Sequence, residues 1–355
     1  MDIPCDVIDK NFTSTERNNA INATIDYYYK TGFPYYKKDM NKLLKDYRRV
    51  LASPIKHIEI GDELQQNMAG LYFINCFHPE MWSVVCNKAK TPMDIYENRE
   101  LFYSAIDKRI SLSDSPLRRF NIRKSLKVFS GAQSVSNFRP TIAKYIYDKY
   151  CKKNNRVLDP CMGYGGRLMG AFCSENVNEY VGVDPCKTTC KNNVKLFKEL
   201  HFIDGEMNSN MLFDFTISKK AEFINEPFED VSLYGKFDLI FTSPPYFNIE
   251  KYSNDSTQSW VRYKTFDSWI NNFLEKLIVK SHKHLMDSGF FIINIDGGKK
   301  LKDEFLKISS KMFTLVETRH MRLSKMIGTR KNKQDKFKLE PIYIFKKINS
   351  YNHGG

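Results

Sequence analysis

The feature that most constrains the fold is a regular alternation of short apolar strands and helical segments from about Phe138 to the C-terminus. Strand-length apolar runs occur in "NRVLDP", "EYVGVDP", "AEFINEPFED", "KFDLIFTSPP" and "FFIINIDGG", with helical patterns between most of them. Such alternation is typical of parallel sheets, because each return to the same edge of the sheet needs a crossover. The last two apolar segments, "FTLVETRHMRL" and "EPIYIFKKI", are separated only by a basic loop. We therefore predict an α/β fold with a mainly parallel, doubly wound sheet and an antiparallel C-terminal edge.

The N-terminal third of the chain follows a different pattern. Segments such as "MNKLLKDYRRVLASP" and "NRELFYSAIDKRISL" place apolar residues three and four positions apart, which is typical of amphipathic helices. A chain of 355 residues is long enough for two domains. We therefore predict a mostly helical N-terminal region over residues 1–130 and the α/β domain over residues 131–350.

Composition indicates a globular protein with a substantial core, since 42% of the residues are hydrophobic and the mean hydropathy is -0.49. The N-terminus lacks a basic segment followed by an apolar run, and no stretch approaches the roughly 18 apolar residues of a membrane span. The eight cysteines are scattered, without a CxxC pair or histidines at metal-ligand spacing. We expect an intracellular protein, cytoplasmic or nucleoid-associated and not secreted, with reduced thiols, no membrane association and no metal.

Charge favours a polyanionic partner, because the net charge is +14 and the pI is near 9.2. Two segments, "LRRFNIRKSLK" and "RLSKMIGTRKNKQDKFK", concentrate basic residues. Each segment is as compatible with a solvated helix face or loop as with a nucleic-acid contact. Their candidate nucleic-acid contacts are Arg118, Arg119, Arg123, Lys124, Arg330, Lys331 and Lys333.

The segment "VLDPCMGYGGRLMGA" predicts a strand, a glycine turn and a helix. Gly163, Gly165 and Gly166 would let the backbone approach a ligand closely, beside a helix N-terminus that favours a negative group. Any strand–helix turn also favours glycine. About twenty residues later a second strand ends in Asp184, where a carboxylate can hold the ribose hydroxyls of a nucleoside cofactor. Because folds that bind NAD show the same pair, the cofactor stays open on these two features alone.

A third feature is the segment "LIFTSPPYFN", in which an apolar run ends in a serine, two prolines and two aromatic residues. Pro244 and Pro245 stop any strand that begins at Phe237, because proline cannot donate to a sheet ladder. A rigid, aromatic loop after a buried strand can present groups to a ligand. It can also be a simple strand terminator.

In combination, the three features resemble the S-adenosylmethionine-dependent DNA amino-methyltransferases. That family has a "DPF-x-G-x-G" loop for the cofactor and a "(D/N/S)-PP-(Y/F)" loop for the target amine; this chain has "DPCMGYGG" and "SPPY". The resemblance extends from about Phe138 to Lys347 and implies a Rossmann-like class I methyltransferase domain. Two departures are Cys161, where the family usually has phenylalanine, and Tyr164, where a small residue is common.

The resemblance implies S-adenosylmethionine as the cofactor and assigns roles to particular residues. The implied cofactor-binding residues are Asp159, Pro160, Gly163, Gly165, Asp184, Phe228 and Glu229. The implied catalytic residues are Ser243, Pro244, Pro245 and Tyr246. The Ser243 hydroxyl and the Pro244 carbonyl would accept hydrogen bonds from the target amine, and Tyr246 would stack on a base that has left the duplex.

The substrate is expected to be duplex DNA, with N4-cytosine as the favoured target because the chain has the "FTSPPY" form. N6-adenine in DNA is the second possibility, followed by an RNA base and by an inactive fold that only binds nucleic acid. An NAD oxidoreductase would leave the SPPY loop unexplained. The segments around SPPY have little room for a separate recognition domain, so we expect nucleic-acid contacts, a protein partner or a homodimer contact in the N-terminal region. Tyr252, which follows the loop, could contact a flipped base or lie in a buried satellite cluster.

Overall fold

A computed structural model describes residues 12–112, 117–208, 219–247, 249–324 and 337–348 of the chain. The chain divides into two compact units. The first is formed from the described parts of residues 1–37, 79–136 and 249–252, and the second from those of residues 38–78, 137–248 and 253–355. The predicted boundary near residue 130 therefore differs from the division in the structure, because residues 38–78 pack with the α/β unit.

The bounds of the regular elements are as follows. The helices are α1 (Ser14–Thr31), α2 (Met40–Leu51), α3 (Ile55–Ile58), α4 (Leu71–Asn75), α5 (Pro92–Glu97), α6 (Arg99–Leu112), α7 (Arg119–Lys124), α8 (Pro140–Tyr150), α9 (Gly166–Cys173), α10 (Lys187–Asn208), α11 (Ser259–Arg262), α12 (Phe266–Trp269), α13 (Glu275–His284) and α14 (Lys299–Ser309). The strands are β1 (Glu59–Ile60), β2 (Glu63–Gln65), β3 (Val85–Cys86), β4 (Asn155–Asp159), β5 (Val177–Val183), β6 (Lys220–Ile224), β7 (Phe237–Thr242), β8 (Glu250–Lys251), β9 (Leu285–Asn294), β10 (Phe313–Ser324) and β11 (Phe337–Lys347). A 3-10 turn covers Pro79–Ser83, and π-helical turns cover Ser125–Phe129 and Ile270–Leu274.

The first unit is mainly helical, as its sequence pattern predicts. Helix α1 begins with a capping box, in which Thr13 and Glu16 each bond the other's backbone N–H. Helices α1, α5, α6 and α7 enclose buried aromatic side chains, and the short strands β3 and β8 pair in an antiparallel ladder. Because β8 follows the SPPY loop in sequence, a short piece of the C-terminal half completes this unit.

The second unit contains a nine-stranded sheet in the order β1-β2-β10-β11-β9-β7-β4-β5-β6. Strands β6, β5, β4, β7 and β9 are parallel, and β11 and β10 add an antiparallel hairpin to β9. This arrangement confirms the predicted mainly parallel α/β fold. The hairpin does not form the edge, however, because β2 pairs with β10 and β1 then occupies the border of the sheet.

Helices cover both faces of the sheet, which explains why its strands are apolar on both sides. Neighbouring strand residues alternate between two hydrophobic cores: Val157 lies in one and Leu158 in the other. The first core is completed by α8, α9 and α10, and the second by α13 and α14. Among the described helices, none combines the length and the apolar composition that a membrane span needs.

Candidate active site

Four polar residues lie at or just beyond the carboxyl ends of parallel strands. Asp159 ends β4, Asp184 follows β5, Ser243 follows β7 and Asn294 ends β9. These strands are parallel to their neighbours in the order β5-β4-β7-β9, so the four residues meet at one edge of the sheet. In open α/β sheets, ligands bind in the crevice outside this edge.

In the glycine loop after β4, Gly163 has free space beside its backbone, whereas Gly165 and Gly166 are closely packed. Gly163 has a φ of 54°, and a Cβ added to it would meet only a carbonyl oxygen at 4.0 Å, so a ligand can approach its backbone. A Cβ on Gly165 would lie 2.3 Å from the Leu196 side chain, and one on Gly166 would lie 2.1 Å from the Phe138 carbonyl oxygen. Gly163 therefore fits the predicted cofactor contact, whereas Gly165 and Gly166 are needed for the packing of α9.

Asp184 holds the glycine loop from the neighbouring strand. Its Oδ1 accepts a hydrogen bond from the Cys186 backbone N–H at 2.9 Å, and its Oδ2 accepts one from the Gly163 N–H at 3.2 Å. Burial raises the pKa of Asp184 to about 6, and the two backbone donors oppose that rise. Asn193 of α10 binds the same turn, because its Nδ2 donates to the Gly163 carbonyl at 2.7 Å.

Asp159 is completely buried, with Pro160 buried beside it. Its Oδ2 accepts hydrogen bonds from Arg167 Nε and from the Tyr180 hydroxyl, each at 2.8 Å. Burial lowers the pKa of Arg167, but the attraction of Asp159 outweighs it, so the net pKa of the guanidinium is raised. Asp159 Oδ1 has no hydrogen-bond partner within the described part of the chain.

The SPPY loop is joined directly to the glycine loop. The Cys161 backbone N–H donates to the Thr242 hydroxyl at 3.0 Å, and the Thr242 side chain is fully buried. The next residue, Ser243, has its Oγ 3.2 Å from Asn294 Oδ1. Asn294 is itself buried and donates from Nδ2 to the Pro341 carbonyl at 2.9 Å. These bonds fix the positions of the two loops relative to each other at the sheet edge.

The rest of the SPPY loop has a rigid and partly strained backbone. Pro244 is buried, and Pro245 and Tyr246 are half-buried, with the Tyr246 ring packed against the second hydrophobic core. Phe247 has a φ of 51°, in the left-handed region that few residues other than glycine adopt. Its ring packs against Trp269 with the ring centroids 6.0 Å apart. Strained backbone of this kind concentrates at functional sites.

Two predicted cofactor residues have structural partners instead. Phe228 is 2% exposed and belongs to the second hydrophobic core, so its ring is not available to a ligand. The carboxylate of Glu229 accepts hydrogen bonds from Arg262 at 2.8 Å and from the Tyr263 hydroxyl at 3.0 Å. Lys280 fixes this segment by donating to three carbonyls, those of Phe228, Glu229 and Val231. This burial does not support Phe228 as a cofactor contact, and Glu229 takes part in an internal ion pair with Arg262.

The candidate nucleic-acid contacts that the structure describes lie in the first unit. Arg118 and Lys124 are exposed, and Arg119 is half-buried. Arg123 is buried: its guanidinium donates to the Pro34 carbonyl at 2.9 Å and lies over an aromatic ring, so it is a structural residue and not a phosphate contact. The hydroxyl of Tyr252 donates to Glu250. Arg330, Lys331 and Lys333 lie outside the described residues.

Several residues that shape this site were not among those predicted from the sequence. Arg167, Tyr180 and Asn193 hold the glycine loop, and Asn294 holds Ser243. His78, the last residue of the segment 38–78, packs edge-on against Tyr164 with the ring centroids 5.4 Å apart. This contact explains why a large residue stands at position 164. The sequence does contain one indication of Asn294, because it lies two residues before Asp296 in the polar segment "NIDGG" at the end of a strand.

Metal binding has no support in the part of the chain that the structure describes, where no three His, Cys, Asp or Glu side chains are grouped as metal ligands. The nearby Asp296 carboxylate is paired with Lys338 at 2.7 Å.

Comparison with known proteins gives a family-model match in the C-terminal part of the chain. Residues 237–354 match the family model of DNA methylases. The match begins with β7, the strand that carries the SPPY loop, and it confirms the resemblance that the loop indicates. A search of curated protein sequences gave no match.

Several solved structures resemble the chain slightly. A methyltransferase from Pyrococcus furiosus is 15% identical over 58% of this chain and 82% of its own, with a TM-score of 0.36. A SAM-dependent O-methyltransferase from Thermotoga maritima is 11% identical over 61% of this chain and 68% of its own, also with a TM-score of 0.36. TrmN from Thermus thermophilus is 13% identical over 67% of this chain and 55% of its own, with a TM-score of 0.37.

Proposed function

We propose that the protein transfers a methyl group from S-adenosylmethionine to the exocyclic amine of a DNA base, with N4-cytosine as the favoured target and N6-adenine as the alternative. The observation that carries the proposal is the position of Ser243, which is held by Asn294 at the sheet edge and joined through Thr242 to the glycine loop. The DNA methylase family match over the same strand and loop supports DNA as the substrate.

The crevice suits the cofactor in three respects. Gly163 leaves its backbone open to a ligand. Asp159 has a buried carboxylate oxygen without a partner among the described residues, and Asp184 provides a carboxylate at the end of the next strand. A cationic amino-acid part is matched by Asp159, and ribose hydroxyls are matched by Asp184. S-adenosylmethionine, when bound, supplies an electrophilic methyl group on a sulfonium.

Ser243 acts as a hydrogen-bond acceptor because Asn294 determines where its proton points. Asn294 donates to the Pro341 carbonyl through Nδ2, so its Oδ1 faces Ser243 and can only accept. The Ser243 hydroxyl therefore donates to Asn294, and its lone pairs remain for an N–H of the target amine. The carbonyl of Pro244 accepts the second N–H.

Two acceptors on one amine change its reactivity. The nitrogen lone pair of cytosine or adenine is delocalised into the ring, and bonds to both N–H groups favour a pyramidal nitrogen with a localised lone pair. The prolines hold the acceptors in place before the base arrives, which lowers the cost of orientation. Serine is a weak base, so the proton released by the nitrogen goes to water. Tyr246 supplies a face for the base to stack on.

Methyl transfer from tritiated S-adenosylmethionine to duplex DNA tests the proposal. Ser243→Ala removes one acceptor, and we expect kcat to fall by about 10²-fold or more, with unchanged affinity for S-adenosylhomocysteine. Ser310→Ala, at an exposed position at the end of α14, is the matched control and should keep full activity. Full activity of the Ser243→Ala protein would refute the assigned role, and transfer to RNA but not to DNA would refute the substrate.

A further inference from the structure

Arg167 is a buried charge that joins three parts of the site. Its side chain on α9 is 5% exposed, and its Nε donates to Asp159 Oδ2 at 2.8 Å. Its second nitrogen donates to the Cys161 carbonyl in the glycine loop. The guanidinium also lies 5.5 Å from the centre of the Phe138 ring and 5.9 Å from that of Phe241, in the strand that leads to SPPY. One guanidinium therefore contacts the carboxylate, the glycine loop and the strand of the catalytic loop.

Two buried tyrosines lie beside the same carboxylate, and only one of them is bonded to it. The Tyr180 hydroxyl donates to Asp159 Oδ2 at 2.8 Å. The Tyr147 hydroxyl lies close enough for the charge of Asp159 to raise its pKa further, after burial, but among the described residues it has no hydrogen-bond partner. The two side chains thus form a matched pair: both are fully buried phenols near Asp159, and they differ in one hydrogen bond.

The two oxygens of the Asp159 carboxylate therefore have different surroundings. Oδ2 receives the guanidinium and the Tyr180 hydroxyl, whereas Oδ1 is buried and has no partner in the described chain. Buried polar atoms in folded proteins almost always have a partner, and leaving a charged one without a partner is costly. Asp159 ends β4 at the ligand-binding edge of the sheet, so a ligand bound in the crevice can supply the missing donor.

We propose that Arg167 and Tyr180 are positioning residues that hold Asp159 by Oδ2 and so reserve Oδ1 for the ammonium group of the cofactor's amino-acid part. The inference rests on the proposed function, because it takes S-adenosylmethionine as the ligand. Arg167 contributes twice: it orients the carboxylate, and through the Cys161 carbonyl it holds the loop that lines the same ligand. Neither residue touches the reacting atoms.

Binding of two related compounds separates positioning from general support of the fold. S-adenosylhomocysteine has the ammonium group, whereas 5′-methylthioadenosine keeps the nucleoside and lacks the amino-acid part. In Tyr180→Phe, we expect affinity for S-adenosylhomocysteine to fall about tenfold, as for the loss of one hydrogen bond to a charged group, with affinity for methylthioadenosine within about twofold of the wild type. Tyr147→Phe should change neither affinity.

Arg167 itself gives a stronger form of the test. Arg167→Met should abolish the preference for S-adenosylhomocysteine over methylthioadenosine, and Arg167→Lys should restore part of it, because lysine keeps the charge but not the forked donors. If Arg167→Met does not fold, the tyrosine pair still decides the question. Equal losses for both compounds, or equal behaviour of the two tyrosine variants, would overturn the inference.

The wild-type protein distinguishes failure of the inference from failure of the proposed function. Binding of S-adenosylhomocysteine without methyl transfer to nucleic acid would refute the proposed function, while the ratio of the two affinities would still decide the role of Arg167 and Tyr180. If the wild-type protein binds neither compound, both the inference and the assignment of S-adenosylmethionine as the cofactor are refuted.

Discussion

Cofactor affinity should depend on pH through Asp184. Burial raises the pKa of this carboxyl to about 6, against an ordinary value of 3.8. Ribose hydroxyls are donors, and they bond most strongly to an ionised carboxylate. A group with a pKa of about 6 is roughly nine-tenths ionised at pH 7 and one-tenth ionised at pH 5, so the affinity for S-adenosylhomocysteine should weaken about tenfold over that range.

The weaker binding expected at pH 5 should not result from loss of protein stability. The folded-state pKa of Asp184 lies above its unfolded value, so the folded protein binds the proton more readily. The contribution of this residue to the free energy of unfolding is therefore complete below pH 4 and is lost as the pH rises through about 6. From pH 7 to pH 5, protonation of Asp184 stabilises the fold while it weakens cofactor binding, and circular dichroism at each pH checks that the protein stays folded.

Isothermal titration of S-adenosylhomocysteine between pH 5 and pH 8 measures the effect, with Asp184→Asn as the comparison. Asparagine keeps the shape but can accept through one oxygen only, so it must lose a bond to Gly163 or Cys186 as well as the charge. We expect Asp184→Asn to bind about 10- to 100-fold more weakly at pH 7 and to lose the pH dependence between pH 5 and pH 7. A wild-type affinity that is flat or that tightens toward pH 5 would refute the reasoning, as would the same pH dependence in the variant.

Three further changes test other parts of the structure. Gly166→Ala places a Cβ 2.1 Å from a backbone carbonyl oxygen that cannot easily move, so urea denaturation should show a loss of about 2 kcal/mol or more; an unchanged midpoint would contradict this packing. Asn294→Leu removes the acceptor that orients the catalytic hydroxyl, and steady-state kinetics should show kcat lowered about tenfold with unchanged binding of S-adenosylhomocysteine. Replacing the exposed Arg118 and Lys124 by glutamine should reduce the slope of log affinity for DNA against log salt by about 2, whereas Arg123→Gln should lower stability instead; an unchanged slope would count against a DNA contact there.

The parallel core was predictable because each of its strands carries its own local signal. The strand before Asp159, the strand before Asp184 and the strand before Ser243 are contiguous apolar runs that end in a turn or in prolines. Such runs are buried on both faces of the sheet, so their composition does not depend on a particular neighbour. The match to the DNA methylase family model begins at the last of these strands and confirms the resemblance that its SPPY end indicates.

The sheet border was not predictable in the same way. Strands β1 and β2 contain two and three residues, which is too short for an alternating pattern to appear. They join the sheet because β2 pairs with β10, with Met321 opposite Leu64 across a separation of more than 250 positions along the chain. The same segment ends at His78, which packs against the glycine loop, so a boundary placed at residue 130 separates residues that fold together.

Within the site, the sequence indicated which loops matter but not how they are held. The Asp159 carboxylate is held by hydrogen bonds from Arg167, eight positions further along the chain, and from Tyr180, in the next strand. Asn294 meets Ser243 only because β7 and β9 are neighbours in the sheet. A motif gives the residue types at a ligand, whereas these contacts depend on strand order and register, which a single sequence does not contain. Phe228 is the reverse: its position in the sequence suggested a cofactor contact, but its side chain lies in the second hydrophobic core.

The central claim is that the SPPY loop presents an exocyclic amine to the cofactor, and the identity of the methylated nucleoside tests it most directly. Duplex DNA is incubated with the protein and methyl-labelled S-adenosylmethionine, digested to nucleosides and analysed by mass spectrometry. We predict labelled N4-methylcytosine, formed about 10²-fold or more slowly by Ser243→Ala. Labelled N6-methyladenine would keep the amine chemistry and change the base. Label on a ring carbon, or no label in DNA from a protein that binds S-adenosylhomocysteine, would contradict the claim.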